Sequence, residues 1–138
     1  MNEQPLLGPV IVLVAWTLVM LAWLAVKRAP FVRDRSAIPP GARGQDIPPG
    51  PHNWPAHNYT HLVEQPTIFY AVVLALALMG ENHALNVALA WAYVLLRIVH
   101  SLVQATVNIV KIRFALFALS TLALLGLTVH AAVHWLHS

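Results

Sequence analysis

Long apolar stretches separated by shorter polar ones dominate the chain. Leu6 to Val26 contains 21 residues without a formal charge, and Phe114 to Val133 contains 20. At about 1.5 Å of rise per residue, each is long enough to cross a hydrocarbon core of roughly 30 Å. The pattern predicts transmembrane helices over about 6–26 and 114–136. Because Lys27 and Arg28 follow the first stretch rather than precede it, we interpret that stretch as a retained anchor and not as a signal peptide.

Two further helices are predicted between these stretches, over about 55–80 and 84–110. Pro55 suits a first helical turn, and the short polar segment Gly80-Glu81-Asn82-His83 separates the two helices. Residues 29–55 hold seven of the ten prolines and show no apolar periodicity, which predicts a long extramembrane loop. The predicted fold class is all-α: a single domain over 1–138 that forms a four-helix transmembrane bundle, with both termini on one side.

Composition agrees with a membrane protein. Apolar residues make up 59% of the chain and charged residues 9%, whereas about a quarter of an ordinary soluble domain is charged. The chain has no cysteine, so any thiol in its chemistry must belong to a ligand. The net charge of +3 does not indicate a nucleic-acid partner, because no basic run with interleaved aromatic residues is present.

The cations predict the orientation in the membrane. The second loop and both termini carry no lysine or arginine. The cations of the first and third loops are Lys27, Arg28, Arg33, Arg35, Arg43, Lys111 and Arg113. By the positive-inside rule these two loops are cytoplasmic, and both termini face the non-cytoplasmic side. The compact chain, rich in alanine and proline, suggests a bacterial inner membrane.

Polar residues fall on single faces of the second and third predicted helices. Polar side chains inside a membrane are costly and therefore point to function or to specific pairing. The stripe on the second helix comprises His57, His61 and Glu64. The stripe on the third helix comprises Tyr93, Arg97, His100, Gln104, Asn108 and Lys111. At roughly 100° per residue, these six positions fall within about 80° of arc.

The short turn predicts how the two stripes face each other. In an antiparallel hairpin folded at Gly80-Glu81, residues at the same level have numbers that sum to about 161. The predicted pairs are Glu64 with Arg97, His61 with His100, and His57 with Gln104. We expect a polar chamber open to the cytoplasmic side, with a buried Glu64–Arg97 ion pair near its floor. The alternative is an ion pair that only sets the register of two helices.

Two segments within these stripes carry a family motif. They are His57-Asn58-Tyr59-Thr60-His61-Leu62-Val63-Glu64, with Pro66 close behind, and Arg97-Ile98-Val99-His100-Ser101-Leu102-Val103-Gln104. Their order and spacing resemble the MAPEG family, the membrane-associated proteins of eicosanoid and glutathione metabolism. In that family the second helix presents Arg, Asn and Glu to glutathione, and the third carries Arg-x-x-His-x-x-x-Tyr. A further arginine begins the fourth helix, and Arg113 stands at its spacing, 16 residues after Arg97.

The resemblance implies a homotrimer with a cytoplasmic-side site between neighbouring subunits. Such a site binds glutathione as co-substrate and presents its thiol to a lipophilic electrophile or lipid from the bilayer. By the same resemblance, Arg113 is the catalytic candidate that stabilises the thiolate, Arg97 and Glu64 bind glutathione, and His100 positions them. The remaining glutathione-binding candidates are His61, Gln104 and His57. The implied activity is that of a glutathione-dependent transferase or peroxidase.

Three positions depart from the family pattern. Gln104 replaces the tyrosine, His61 the asparagine and His57 the arginine. A phenol that would hydrogen-bond a ligand is therefore absent from its usual position. The alternative function is a non-catalytic lipid- or ligand-binding membrane protein of the same fold, because some family members bind lipid without catalysis.

Other polar clusters have simpler interpretations. His57, His61 and Glu64 also suit a zinc-like set, although no fourth ligand is evident and we assign no metal site. His130, His134 and His137 repeat on one face near the end of the last helix, where histidine beside Trp135 is typical of a belt at headgroup level. A transporter is a third possibility, but we find no inverted repeat to support it.

Overall fold

The computed structural model describes residues 4–34, 36, 40–41 and 50–138. These residues form five α-helices and one short 3-10 helix. They are α1 (Leu7–Arg33), the 3-10 helix (Pro51–Asn53), α2 (Trp54–Glu64), α3 (Pro66–Leu78), α4 (Ala84–Thr106) and α5 (Val110–His137). Within the predicted proline-rich loop, residues 35, 37–39 and 42–49 lie outside the described residues, and the cations Arg35 and Arg43 are among them.

Four segments are long and apolar enough to cross a membrane, which confirms the predicted fold class. They are Leu7–Phe31, Pro51–Leu78, Ala84–Thr106 and Val110–His137. Large apolar side chains on the outward faces of these segments are exposed, including Ile11 at 64%, Ile68 at 55% and Leu122 at 63%. Water would penalise such faces, whereas hydrocarbon accommodates them.

The first helix continues beyond the predicted end at Val26. It runs through Lys27 and Pro30 to Arg33, and the backbone N–H of Asp34 donates to the Pro30 carbonyl at 3.0 Å. The added residues carry the charges that follow the apolar stretch, so this end of α1 reaches past the hydrocarbon. Beyond the helix, hydrogen bonds from Ser36 lower the pKa of the Asp34 carboxyl below its ordinary value.

The second membrane-spanning segment is divided at Gln65 instead of forming one helix over 55–80. Pro66 has no N–H to donate to the preceding turn, so the helical ladder is interrupted there. The Thr67 hydroxyl donates to the Glu64 carbonyl at 2.7 Å, and the Ile68 N–H donates to the Gln65 carbonyl at 3.0 Å. These bonds satisfy carbonyl groups at the division and keep α2 and α3 in one span.

Glycine closes the turn between the second and third spans. Gly80 has φ +76°, a left-handed conformation in which other residues are strained. Its N–H donates to the Ala77 carbonyl at 3.1 Å, and the N–H of Glu81 donates to the Leu76 carbonyl at 2.9 Å. This bonding pattern is a Schellman motif, which ends α3 and directs the chain back as α4.

The turn between α4 and α5 lies earlier than predicted. α4 ends at Thr106, and Asn108 takes a left-handed conformation with φ +53°. Its N–H donates to the Val103 carbonyl at 2.7 Å. Since α5 begins at Val110, the loop cations Lys111 and Arg113 belong to the first turns of that helix.

Helix α4 lies at the centre of the packing and contacts α1, α2 and α5. Its buried face passes from apolar residues near Ala90 and Val94 to polar residues near Arg97 and Gln104. The apolar core beside it includes Leu13 and Met20 of α1, together with Leu62, Phe69, Val73, Leu76 and Leu127. The polar half of the α4 face therefore lies toward the end of the bundle where α2 begins and α4 meets α5.

Candidate functional site

Arg97 is the most deeply enclosed cation among the described residues. Its side chain is 1% exposed, and its Nη2 donates to the backbone carbonyl of His61 at 2.9 Å. The guanidinium carbon also lies 5.9 Å from the centre of the Phe117 ring, within range of a cation–π interaction. Nε and Nη1 have no hydrogen-bond partner. Arg97 therefore joins α2, α4 and α5 and keeps two donors for a further partner.

The predicted buried ion pair between Glu64 and Arg97 is not formed. Glu64 is 61% exposed, and its carboxylate lies 3.7 Å from Nδ1 of His61. The reason is local: α2 ends at Glu64, the carboxylate turns outward, and Arg97 uses a backbone carbonyl instead. Both residues nevertheless border one cavity of about 420 Å³, which His61, Gln65, Ile68 and Phe117 also line.

His61 and His100 face each other as the register predicts. Their ring centres lie 6.3 Å apart, and the ring planes are nearly perpendicular at 83°. His100 is 4% exposed, whereas His61 is partly exposed at 44% of its side chain. Both imidazoles line a second cavity.

Arg113 borders this second cavity, of about 260 Å³. Its Nη1 donates to Oδ1 of Asn108 at 2.6 Å. The left-handed turn at Asn108 thereby fixes an arginine from the first turns of α5. The cavity is lined by His61, His100, Val110, Arg113, Phe114 and Phe117. The cavity therefore combines two imidazoles and a guanidinium with aromatic and aliphatic side chains from α5.

Gln104 and His57 are not part of either cavity. Gln104 is 2% exposed, and its Oε1 is buried without a partner. His57 is exposed, with its Nε2 3.2 Å from Nδ2 of Asn53. The predicted site residues therefore divide into two groups. Glu64, Arg97, His61, His100 and Arg113 line the two cavities, while Gln104 and His57 lie nearer the end of the bundle.

The two cavities adjoin, because His61 and Phe117 line both. The cavity of about 420 Å³ is bordered by the carboxylate of Glu64 and the buried guanidinium of Arg97. The cavity of about 260 Å³ is bordered by the guanidinium of Arg113, which lies beside exposed aromatic rings. An arrangement of this kind suits a zwitterionic polar molecule next to an apolar one.

Sequence reasoning missed Gln65, which connects the cavity to two other helices. Tyr93 donates its hydroxyl to Oε1 of Gln65 at 3.3 Å, and Nε2 of Gln65 donates to Oγ1 of Thr121 at 2.9 Å. Tyr93 is also stacked on Phe69, with ring centres 4.3 Å apart. Gln65 directly precedes Pro66, and that proline is the signal that a side chain near a helix interruption is available for such bonding.

The zinc-like alternative gains no support from this arrangement. Within residues 4–34, 36, 40–41 and 50–138, no group of three or more His, Asp or Glu side chains is placed to hold a metal ion. Nε2 of His57 lies 3.2 Å from Nδ2 of Asn53, whereas Nδ1 of His61 lies 3.7 Å from the carboxylate of Glu64.

Comparison with known proteins gives one match. The model of the MAPEG family matches residues 6–133, nearly the whole chain. No curated protein and no solved structure matches the chain.

Proposed function

Because the chain belongs to the MAPEG family, we propose that it is a glutathione-dependent transferase or peroxidase that acts on lipophilic electrophiles. The observation that carries the proposal is the pair of adjoining cavities, one bordered by Glu64 and Arg97 and the other by Arg113. A zwitterionic thiol and an apolar substrate are the two kinds of molecule that such a site would bring together.

The first cavity has the charges that glutathione needs. Glutathione has two carboxylates and one ammonium group, and a guanidinium and a carboxylate are complementary to them. The exposed carboxylate of Glu64 would contact the ammonium, and the guanidinium of Arg97, which lines the same cavity, would attract a carboxylate. His61 and Gln65 border the same space and offer further polar contacts.

The second cavity suits the reacting sulfur and the apolar substrate. A guanidinium favours the thiolate over the thiol, and the thiolate is the nucleophile. Arg113 therefore stabilises the glutathione thiolate, which forms a carbon–sulfur bond while a leaving group departs with its electron pair. Phe114 is 71% exposed and Val110 is 70% exposed, so this side is open to the apolar surroundings from which a lipophilic electrophile would come. Holding both reactants side by side supplies proximity.

A second candidate function is non-catalytic binding of a lipid or another ligand. Gln104 stands where the family has tyrosine, and its buried Oε1 has no partner. The hydroxyl that would contact a ligand from this position is therefore replaced by an amide directed into the protein. This difference favours a ligand-binding protein that keeps the fold without the transfer reaction.

The assembly and orientation belong to the same proposal. We expect a homotrimer whose interface completes the site, in a bacterial inner membrane, with both termini on the non-cytoplasmic side. The cations Lys27, Arg28, Lys111 and Arg113 lie at one end of the bundle, which supports a cytoplasmic location for that end. The cavities beside Arg97 and Arg113 would then open toward cytoplasmic glutathione.

Turnover in proteoliposomes tests the proposed activity. Glutathione consumption is measured with a panel of lipophilic electrophiles and a lipid hydroperoxide, for the wild type and for Arg113→Ala. Lys111→Ala is the matched control, because Lys111 is an exposed cation in the same turn and lines neither cavity. Turnover that Arg113→Ala lowers and Lys111→Ala preserves supports the transferase. Glutathione binding without turnover of any substrate favours the ligand-binding alternative.

A further inference from the structure

A separate cleft lies at the opposite end of the bundle, where the turn after α3 meets the end of α5. We call it the terminal cleft; its volume is about 470 Å³. It is lined by Glu81, His83, Leu85, Asn86, His130, Val133, His134 and His137. None of these residues borders the cavities beside Arg97 and Arg113.

The hydrogen bonds of Asn86 determine which nitrogen of His130 carries a proton. Nδ2 of Asn86 donates to the backbone carbonyl of Glu81 at 3.0 Å, which fixes the orientation of the amide. Oδ1 of Asn86 then lies 2.6 Å from Nδ1 of His130. Because an amide oxygen only accepts, Nδ1 of His130 is the donor. In the neutral imidazole, Nε2 therefore has the free lone pair.

The other three histidines are held in the same way. Nδ1 of His134 lies 2.8 Å from Oε1 of Glu81, and Nε2 of His83 lies 3.0 Å from Oε2 of the same carboxylate. Nδ1 of His137 lies 2.7 Å from the Val133 carbonyl. Every partner is an oxygen that accepts, so each anchored nitrogen donates. In its neutral form each of the four imidazoles keeps a lone pair on its other nitrogen, and all four side chains line the same cleft as Glu81.

A site of this composition suits a cation. A metal ion needs its ligand atoms within about 2.0–2.3 Å of one point. In the part of the chain that the structure describes, no three such side chains meet this requirement. An ammonium group tolerates acceptor atoms that lie farther apart than metal ligands, because its three N–H groups reach acceptors at roughly 2.9 Å. The geometry of the terminal cleft therefore favours an ammonium group over a metal ion.

The position of the cleft indicates where that ammonium group comes from. It lies at the ends of membrane-spanning segments, the level at which lipid headgroups are found. Leu85 and Val133, which also line it, are 58% and 51% exposed and would contact the upper part of an acyl chain. We propose that the terminal cleft binds the primary ammonium group of a phospholipid such as phosphatidylethanolamine. This inference does not depend on the proposed transferase activity.

The test compares two lipids that differ in hydrogen-bond donors. The full-length protein is reconstituted in nanodiscs of phosphatidylcholine, or of a mixture with phosphatidylethanolamine, and its unfolding temperature is measured. Choline carries the same charge but has no N–H. The variants are Glu81→Gln, which removes the carboxylate charge, and His130→Phe, which keeps an aromatic ring without nitrogen. His57→Gln is the control for removal of an exposed histidine at the other end. Free ethanolamine, zinc and nickel are added in separate arms.

We expect phosphatidylethanolamine to raise the unfolding temperature of the wild type and of His57→Gln, but not of Glu81→Gln or His130→Phe. Native mass spectrometry of the wild type provides a readout that does not rely on the variants folding, and should show severalfold enrichment of the amine lipid over phosphatidylcholine. Stabilisation by free ethanolamine alone supports recognition of an ammonium group, and it identifies a soluble amine rather than a lipid as the ligand. An equal response to both lipids without a response to ethanolamine, or stabilisation by zinc or nickel alone, would overturn the proposal.

Discussion

Glu64 and Arg97 border one cavity without forming an ion pair. The guanidinium of Arg97 is buried and bonded to the carbonyl of His61, whereas the carboxylate of Glu64 is 61% exposed. Removing the Glu64 charge should therefore leave folding almost unchanged, because no buried partner loses a bond. Replacing Arg97 would instead empty a buried volume and free a carbonyl.

Glu64→Gln provides the first prediction. Its free energy of unfolding should stay within about 0.5 kcal/mol of the wild type. Glutathione affinity should fall roughly fivefold, because the contact with the ammonium group loses about 1 kcal/mol. Unfolding in detergent and titration calorimetry measure the two quantities. A large loss of stability would mean that Glu64 is part of a structural ion pair after all.

Gln65 provides the second prediction. Gln65→Leu and Thr121→Val each remove one end of the 2.9 Å hydrogen bond between α5 and the division of the second span. The two changes should show a coupling free energy of about 1 kcal/mol in a double-mutant cycle of unfolding.

Thr128→Val is the matched control for Thr121→Val. Both threonines lie on α5 and donate to the carbonyl four residues earlier, but Gln65 contacts only Thr121. The cycle of Gln65→Leu with Thr128→Val should therefore show almost no coupling. Equal coupling in the two cycles would contradict a specific bond between Gln65 and Thr121.

Gly80 provides the third prediction. Its φ of +76° is strained for any residue with a Cβ, although no atom lies within 4 Å of the place where a Cβ would stand. Gly80→Ala should lower the free energy of unfolding by about 1 kcal/mol, whereas Gly80→Asn should lose less, because asparagine tolerates this conformation. Thermal unfolding of the two variants measures the difference. An alanine variant as stable as the wild type would show that the turn does not require the left-handed conformation.

Gln104 provides the fourth prediction. Its Oε1 is buried without a partner, which costs about 1–3 kcal/mol. Gln104→Leu, of similar volume, should therefore stabilise the ligand-free protein by roughly 1 kcal/mol in urea or detergent unfolding. Glutathione binding should change little, because Gln104 lines neither cavity. A marked loss of binding would mean that Gln104 contributes to the glutathione site after all.

The sequence pattern predicts the spans and the family, and both are confirmed. Charge-free stretches identify α1 and α5 because hydrocarbon thickness alone sets the required length. The register also places His61 opposite His100, since helical periodicity determines the level and the face of a residue.

Periodicity does not determine the direction of a side chain at a helix end. Glu64 ends α2 just before Gln65 and Pro66, so the face assigned by a continuous helix no longer applies there. The lone-pair arrangement of the terminal cleft likewise depends on Asn86 and Glu81, which are distant in sequence from His130 and His134. Contacts of that kind arise from tertiary packing and leave no periodic signal.

Equilibrium binding of glutathione to the detergent-purified protein tests the central claim most directly. The thiolate absorbance of the bound thiol is recorded for the wild type, for Arg113→Ala and for the Lys111→Ala control. We predict saturable binding with a shift toward thiolate in the wild type and in Lys111→Ala, and loss of that shift in Arg113→Ala. Absence of binding at millimolar glutathione would contradict the proposed function, and the cavities would then have to serve a different ligand.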